Sequence, residues 1–329
     1  MRYVVVGAGA VGGTLAALLA QGSQDVVVVA RGAHGAAIAA HGLELAMPTR
    51  TVRVPLPVVA SVDELELRRD DVLLLCTKGQ HSAELLSALA ARPVGDSSAG
   101  AVLPVLCVQN GVENERTALR SFATVLGVCV VLPATHLEPG RVTAEGGPLT
   151  GLLELGRYPQ GVDALVERVA ADLTAAGIPT TPRADVMAWK RAKLLNNLGN
   201  AVDALCGREP DDAARELENR ARAEGRACFA AAGLSVVDDD AWAQHRGERV
   251  RPRPVAGHQR GGSSSWQSLA RGTGSIEADL LNGEVVLLGR LHGVTTPVNA
   301  LLQVEANRAA AQGRAPGSTS ARGLLERLD

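Results

Sequence analysis

MRYVVVGAGAVGGTLAALLAQGSQDVVVV, Met1–Val29, reads as strand, turn, helix and strand. Tyr3–Val6 is a β-branched apolar run of strand length. Gly7, Ala8, Gly9, Ala10, Val11 and Gly12 follow with the spacing G-x-G-x-x-G. Val11, Leu15, Leu18 and Leu19 then recur on one helical side, and Val26–Val29 is a second β-branched run. A glycine fingerprint set between a strand and a helix, in a unit of βαβ length, signals a dinucleotide site. Each glycine has a physical task. Gly7 allows a sharp turn, Gly9 lets backbone approach a pyrophosphate, and Gly12 lets the helix lie close to the strand. The helix N-terminus then offers free N–H groups and its positive dipole end to the phosphates. The competing reading is a tight strand–helix turn without a ligand; the βαβ context favours the nucleotide.

Outward from this stretch, 329 residues predict two domains. Hydrophobic residues make up 46%, enough for a sizeable core; with aromatics at 2%, it must be built from Ala, Val and Leu. A net charge of −2 argues against nucleic acid or an anionic membrane held by bulk charge. Cys76, Cys107, Cys129, Cys206 and Cys228 are scattered without a C-x-x-C pair. They read as buried thiols in a reducing compartment, not as a disulfide framework or zinc site, and no metal is expected. No apolar run is long enough to span a bilayer. The glycine-rich N-terminus does not read as a signal peptide, so the expected location is the cytoplasm.

Arg31 follows the second strand, about twenty residues past the glycines, where NAD-binding domains carry an acid for the ribose 2′-hydroxyl. An acid there repels a 2′-phosphate; a guanidinium binds it with two parallel hydrogen bonds. The expected cofactor is therefore NADP(H), against a solvated loop arginine as the alternative. Gly42–Val59 reads as short strands. Asp71–Thr77 is a continuous apolar run, as expected of a strand buried on both faces. Lys78 lies just beyond its end, and ligands of open α/β sheets gather at such ends. Lys78 is thus a cofactor candidate. Val102–Val108 is the next buried strand, and Asn110 just beyond it suits a nicotinamide, ribose or carbonyl; an Asn-Gly turn fits equally. Val125–Val131 is one more strand, and His136 after it is assigned a supporting role because no nearby acid or second His accompanies it.

From about Asp185 long helical patterns replace the β-branched runs. The expected fold is an α/β Rossmann-type domain over 1–184 followed by an all-α domain over 185–329, with a ligand cleft between them. Asp185–Leu205 is predicted as one helix, Asp211–Ala232 as another, and Ser275–Leu291 and Pro297–Gln312 as two more. Asp238–Ser265 reads as a charged loop and Ala315–Asp329 as a mobile tail. Lys193 and Asn197 are four apart and share a helical face, while Leu194, Leu195 and Leu198 anchor the helix. Trp189 is expected to lend aromatic cover. Lys190 and Arg191 are expected to be solvated. A lysine beside an amide under apolar cover can donate a proton, because desolvation lowers its pKa. A surface lysine has the same spacing.

The chain resembles the ketopantoate reductases (2-dehydropantoate 2-reductases) along nearly its whole length. The matching motifs are GAGAVG, Arg31, Thr77–Gln80 (TKGQ), Gln109–Gly111 (QNG), Ala134–His136 (ATH) and the Trp…Lys…Asn helix. Ser264-Ser265, Ile276–Asp279, Leu281–Gly283 and Thr296–Asn299 continue the series. The resemblance implies NADPH-dependent reduction of a 2-oxo acid, ketopantoate first, in pantothenate biosynthesis. It implies that Lys193 donates a proton to the substrate carbonyl oxygen. Asn197, Ser264, Ser265 and Glu277 match groups that hold substrate, and Glu277 also lies near the cofactor. Arg31 and Lys78 match the adenosine end, and Asn110 the nicotinamide end. A homodimer is the expected assembly. Three positions depart from the pattern. Lys193 stands four after Trp189, where Trp-x-Lys is usual. Ala201 replaces a second Asn. Leu269 replaces an Asp, with Gly274-Ser275-Ile276-Glu277 in place of Arg-x-Thr-Glu. These changes surround the substrate, so a different carbonyl or imine remains open, as does a non-catalytic NADP-responsive binding protein.

Overall fold

The computed structural model describes residues 1–258 and 261–328. Two compact units emerge. The first comprises Met1–Asn110, Asn114–Trp189 and Asp240–Arg260; the second comprises Gly111–Glu113, Lys190–Asp239 and Gly261–Asp329.

The first unit opens with β1 (Arg2–Val6), α1 (Ala10–Gln21), β2 (Asp25–Val29) and α2 (Gly32–His41). Next come β3 (Leu43–Ala46), β4 (Thr51–Val54), β5 (Val58–Val59), β6 (Asp71–Leu75) and α3 (Ser82–Ala90). The short pair β7 (Pro93–Val94) and β8 (Ser97–Ser98) leads to α4 (Ala99–Val102) and β9 (Pro104–Cys107). α5 (Asn114–Leu119), β10 (Thr124–Val131), β11 (Ala134–Thr135), β12 (Arg141–Ala144) and β13 (Gly146–Pro148) follow. β14 (Leu152–Arg157), α6 (Ala164–Ala175) and β15 (Thr180–Pro182) end its continuous part. Its main sheet runs β15-β14-β10-β9-β6-β1-β2-β5. Every neighbouring pair in it is parallel except β10 with β14. The β-branched runs carry no polar alternation because helices and loops cover both faces. Tyr3, Val5, Val26, Val28, Val72 and Leu74 enter one core. Val4, Val6, Val27, Val29, Leu73 and Leu75 enter the other. At the opening of the sheet Arg2 stands beside Asp71 in register. Its guanidinium makes two 2.7 Å hydrogen bonds to that carboxylate.

The helices of the second half are α7 (Val186–Asn197), α8 (Asn200–Cys206), α9 (Asp212–Ala231), α10 (Asp239–Arg246) and α11 (Ser264–Ala270). β16 (Val250–Pro252), α12 (Asn282–His292), α13 (Pro297–Ala311) and α14 (Ala321–Leu325) complete the chain. The second unit packs Leu194, Leu195, Leu198, Leu217, Phe229, Val285 and Leu302 into one core. Asp211 caps α9 by accepting the N–H of Ala214 at 2.8 Å.

The structure corrects several expectations. The first unit runs past Asp185 to Trp189 and then takes back Asp240–Arg260. That stretch, expected to be a loop, holds most of α10 and all of β16. β16 pairs antiparallel with β13. His258 Nε2 meets the buried carboxylate of Glu145 at 3.0 Å, and His245 pairs with the fully buried Glu154. The helix expected over Asp185–Leu205 is two, because the carbonyl of Leu198 accepts from the side chain of Asn282 (3.2 Å). The helix expected from Ser275 begins as a single tight turn, Glu277–Leu280, before α12. The expected tail is ordered. Ala321 and Leu324 are buried in the helical core, and Arg327 reaches Glu305 at 3.0 Å. Asp329, its last residue, lies outside the described residues. No described helix is long and apolar enough to cross a membrane.

Candidate functional site

In the first unit the parallel register gathers the expected cofactor residues. Val6 is level with Val29 and with Leu75, and Leu75 with Cys107. The residues that follow these four strand ends therefore lie along one edge of the sheet. They are the glycine loop, Arg31, Thr77 and Lys78, and Asn110. This is the edge at which open α/β sheets bind ligands.

The glycines behave as their tasks require. Gly7 has φ +100°, and a Cβ there would stand 2.9 Å from Thr77 Cγ2. A Cβ on Gly12 would overlap the carbonyl oxygen of Gly7 and come within 2.7 Å of Cys76 Cβ. A Cβ on Gly9 would meet nothing within 4 Å, which leaves room over the backbone at the start of α1. Ala8 is buried beneath the loop, while Ala10 and Val11 are half-buried in the first turn of α1. We expect Gly12→Ala to lower stability by about 1–3 kcal/mol, because the obstructing atom is backbone and yields little. A fall in the urea midpoint at unchanged m-value checks this.

Arg31 is exposed and stands at the N-cap of α2 with extended backbone. Lys78 is half-buried and precedes a short turn at Gly79–His81. Asn110 is half-buried, and its carbonyl accepts from Asn114 Nδ2 at 3.3 Å. Gly111 after it has φ +83°, so the Asn-Gly turn is built as well. Sequence reasoning passed over Thr77 and His34. Thr77 Oγ1 is buried beside Gly7 and has no hydrogen-bond partner. His34 bonds the glycine loop directly, with Nε2 2.8 Å from the carbonyl of Ala8. The ring of His136 packs on that of His34, so a second histidine, which the sequence did not show nearby, does accompany it. Cys76 lies under the loop, and burial pushes its thiol far above the ordinary range, so it is an inert packing group.

In the second unit Lys193 and Asn197 lie on α7, both half-buried. Leu194, Leu195 and Leu198 anchor the helix in the core as expected. Asn197 Nδ2 is buried and has no hydrogen-bond partner, whereas its neighbour Asn196 is exposed. A buried donor without a partner is costly, and this one is available to a ligand. Lys190 is not solvated: it is 3% exposed. Positions 190, 193 and 197 are one and two helical turns apart, so the spacing that pairs Lys193 with Asn197 carries Lys190 to the same side. Trp189 belongs to the first unit, where it packs on Trp242, His245 and the guanidinium of Arg183. Its aromatic cover is given to that cluster.

α11 begins at Ser264, capped by Ser263, whose Oγ accepts the N–H of Trp266 at 3.2 Å. Ser264 is half-buried and its carbonyl accepts from Ser268 Oγ at 3.0 Å; Ser265 is buried. Glu277 is buried at the head of the tight turn. The guanidinium of Arg271 lies in its field. Burial lowers the Arg271 pKa from its ordinary value, and the charge of Glu277 opposes that shift. The departures Ala201 and Leu269 are buried members of the helical core. The Asn282 and Asn299 motifs prove to be scaffold. Asn282 Nδ2 donates to Leu198 O and to Asn299 Oδ1 (3.0 Å). Glu224 accepts the N–H groups of Val298 and Asn299 at the start of α13 (2.9 and 3.0 Å). This network fixes the end of α7.

Comparison with known proteins places the chain. Residues 3–160 match the family model for ketopantoate reductase PanE/ApbA, and residues 185–308 match that for its C-terminal domain. A 2-dehydropantoate 2-reductase of Halobacterium salinarum is 32% identical over 310 residues, 91% of this chain and 95% of that protein. The crystal structure of a PanE/ApbA family ketopantoate reductase from Ralstonia eutropha is 27% identical, with a TM-score of 0.78, over 95% of this chain and 99% of that one. The ternary structure of a D-mandelate dehydrogenase with NADH and anilino(oxo)acetate shares the fold, at 20% identity and TM-score 0.77, over 96% of this chain and the whole of that one.

Proposed function

Because the chain belongs to the ketopantoate reductase PanE/ApbA family, and is an oxidoreductase of that family using a nicotinamide cofactor, we propose that it reduces a 2-oxo acid to the 2-hydroxy acid with NADPH, ketopantoate being the first substrate. One observation carries the reading: the partnerless buried amide of Asn197, one turn past Lys193 on α7. The residues present fit a dinucleotide, since Thr77 Oγ1 is an orphaned donor beside the glycine loop and Gly9 leaves open space. Bound NADPH supplies hydride to C2 of the oxo acid. The chain's own residues do the rest. The Lys193 ammonium stabilises negative charge on the carbonyl oxygen and donates its proton there. Asn197 donates a hydrogen bond to substrate, and Ser264, Ser265 and Glu277 supply further polar contacts. Arg31 and Lys78 hold the adenosine end of the cofactor, and Asn110 the nicotinamide end.

The experiment is a panel of 2-oxo acids with NADPH and NADH, followed by loss of reduced-cofactor absorbance. Turnover of ketopantoate with NADPH is the expected result; no 2-oxo acid consuming either cofactor overturns the reading. Buried apolar side chains at Ala201 and Leu269, where the resemblance expects amide and carboxylate, favour a second reading: a 2-oxo acid with a less polar side chain. Branched-chain or aromatic oxo acids outrunning ketopantoate in kcat/KM would establish it.

Cofactor choice has its own test. Arg31 is a cation where NAD-selective domains carry an acid. Arg31→Ala is expected to weaken NADPH binding by about 1.5–3 kcal/mol, the range for a charge-assisted contact, and to leave NADH nearly unchanged. Equal wild-type Kd values for the two cofactors would remove the basis for NADPH.

A further inference from the structure

His34 is the third residue of α2, the helix that begins just after Arg31. Its ring joins three parts of the first unit. Nε2 lies 2.8 Å from the carbonyl oxygen of Ala8 in the glycine loop. Nδ1 lies 2.9 Å from the backbone N–H of Gly140, in the turn before β12. A backbone N–H only donates, so Nδ1 is the acceptor. Nε2 must then carry the proton and donate it to Ala8, which also fixes the tautomer. The turn is held in place independently. Gly140 has φ +76°, a Cβ on it would stand 3.0 Å from Ala37 Cβ of α2, and its carbonyl accepts from the N–H of Glu44 (2.9 Å). The ring of His136 closes the other side, with centroids 4.0 Å apart, and His136 Nδ1 bonds Arg141 O at 3.1 Å.

We propose that neutral His34 is a positioning residue for the dinucleotide, clamping the glycine loop to the helix that carries Arg31 through the chain Gly140 N–H to His34 to Ala8 O. The inference rests on the reading that this loop takes a nicotinamide dinucleotide. Two parts of that ligand are far apart in chemistry, the pyrophosphate at the glycine loop and the ribose 2′-substituent at Arg31. A rigid link between the two sites presets their separation, so less ordering is left for the ligand to impose. Protonation of His34 would turn Nδ1 into a donor facing the donor of Gly140 and break the link. Burial lowers the imidazole's pKa below its ordinary value, which keeps the neutral form in place at neutral pH. The link is present above that depressed value and is lost as the pH falls through it. The charged and titratable neighbours are His136, Glu138 and Arg141 on the turn, Glu44 paired to Arg141 at 3.3 Å, and Arg31 at the N-cap of α2.

The test has two readouts. In the free protein, 15N-correlated NMR of the His34 ring should show the Nε2–H tautomer at neutral pH. NADPH Kd values are then measured by fluorescence titration from pH 5 to pH 8. His34→Ala is expected to raise Kd about tenfold, the loss of one neutral hydrogen-bonded link. His34→Gln should restore much of the affinity, because its amide can donate to Ala8 and accept from Gly140. Wild type should lose affinity in acid more steeply than His34→Gln; the cofactor's own 2′-phosphate titrates alike in both. An Nδ1–H tautomer, a folded His34→Ala with wild-type Kd, or identical pH profiles for wild type and His34→Gln overturns the proposal alone. No binding of NADPH or NADH by wild type overturns the dinucleotide reading and the proposal with it.

Discussion

Lys193→Ala is expected to lower kcat by about a hundred- to ten-thousand-fold, the usual contribution of a positioned proton donor, with NADPH affinity nearly unchanged. In the transition state the carbonyl oxygen gains negative charge, and an ammonium beside it is worth more there than in the ground state. Asn197→Ala should act in the same direction, more on KM, since its buried Nδ2–H has no partner within the protein. Asn196→Ala, one residue away but exposed, should leave both constants alone. Lys190 is buried and does not serve as a neutral control. It is instead the competitor. The variants are compared at saturating NADPH on whichever 2-oxo acid turns over, after circular dichroism has matched their folding. Retention of kcat by Lys193→Ala, with its loss in Lys190→Met, would move the proton donor one turn back along α7.

Asp71→Asn is expected to destabilise the first unit by about 3–5 kcal/mol, the cost of removing one partner of a buried ion pair. Arg2 and Asp71 are 8% and 1% exposed. The carboxylate also accepts the N–H of Arg68 at 2.7 Å, and Arg2 reaches the carbonyl of Glu66 at 2.7 Å. The substitution keeps the shape but leaves the guanidinium buried without its counter-charge. Arg2→Met should be damaging for the converse reason. The double variant should lose much less than the two losses added together, because no isolated charge remains. Urea unfolding of the four proteins checks this; strict additivity would show that the pair is not coupled.

What the sequence discloses depends on how local the physical demand is. Gly7 and Gly12 are dictated by a turn and a backbone contact a few residues away, so their spacing alone announces the loop. The sheet was legible from runs such as Asp71–Thr77, because strands covered on both faces need continuous apolar residues. That Lys193 and Asn197 share one face of a helix was legible from their spacing. The same spacing, applied to Lys190, would have predicted its burial; the expectation that a lysine is solvated prevailed over the geometry. Thr77 and His34 were illegible because their roles come from non-local neighbours. His34 meets Gly140 across 106 positions. The return of Asp240–Arg260 was hidden for the same reason. Its anchors are Trp242, His245 and His258, which form no periodic pattern, and His258 finds Glu145 across 113 positions. The break after Asn197 hung on Asn282, 84 residues beyond Leu198.

That return sets an order in time. A chain is made from its N-terminus, at about 5–20 residues per second. When β15 leaves the ribosome, the main sheet has all its strands, yet β13 still lacks β16, and Glu154 and Glu145 still lack His245 and His258. The stretch Lys190–Asp239, which belongs to the other unit, must be synthesised before those partners exist. The nucleotide-fold unit therefore starts first but is completed only during synthesis of the C-terminal half. A nascent chain halted at Trp189 would hold two buried carboxylates whose partners, His245 and His258, had not yet been made.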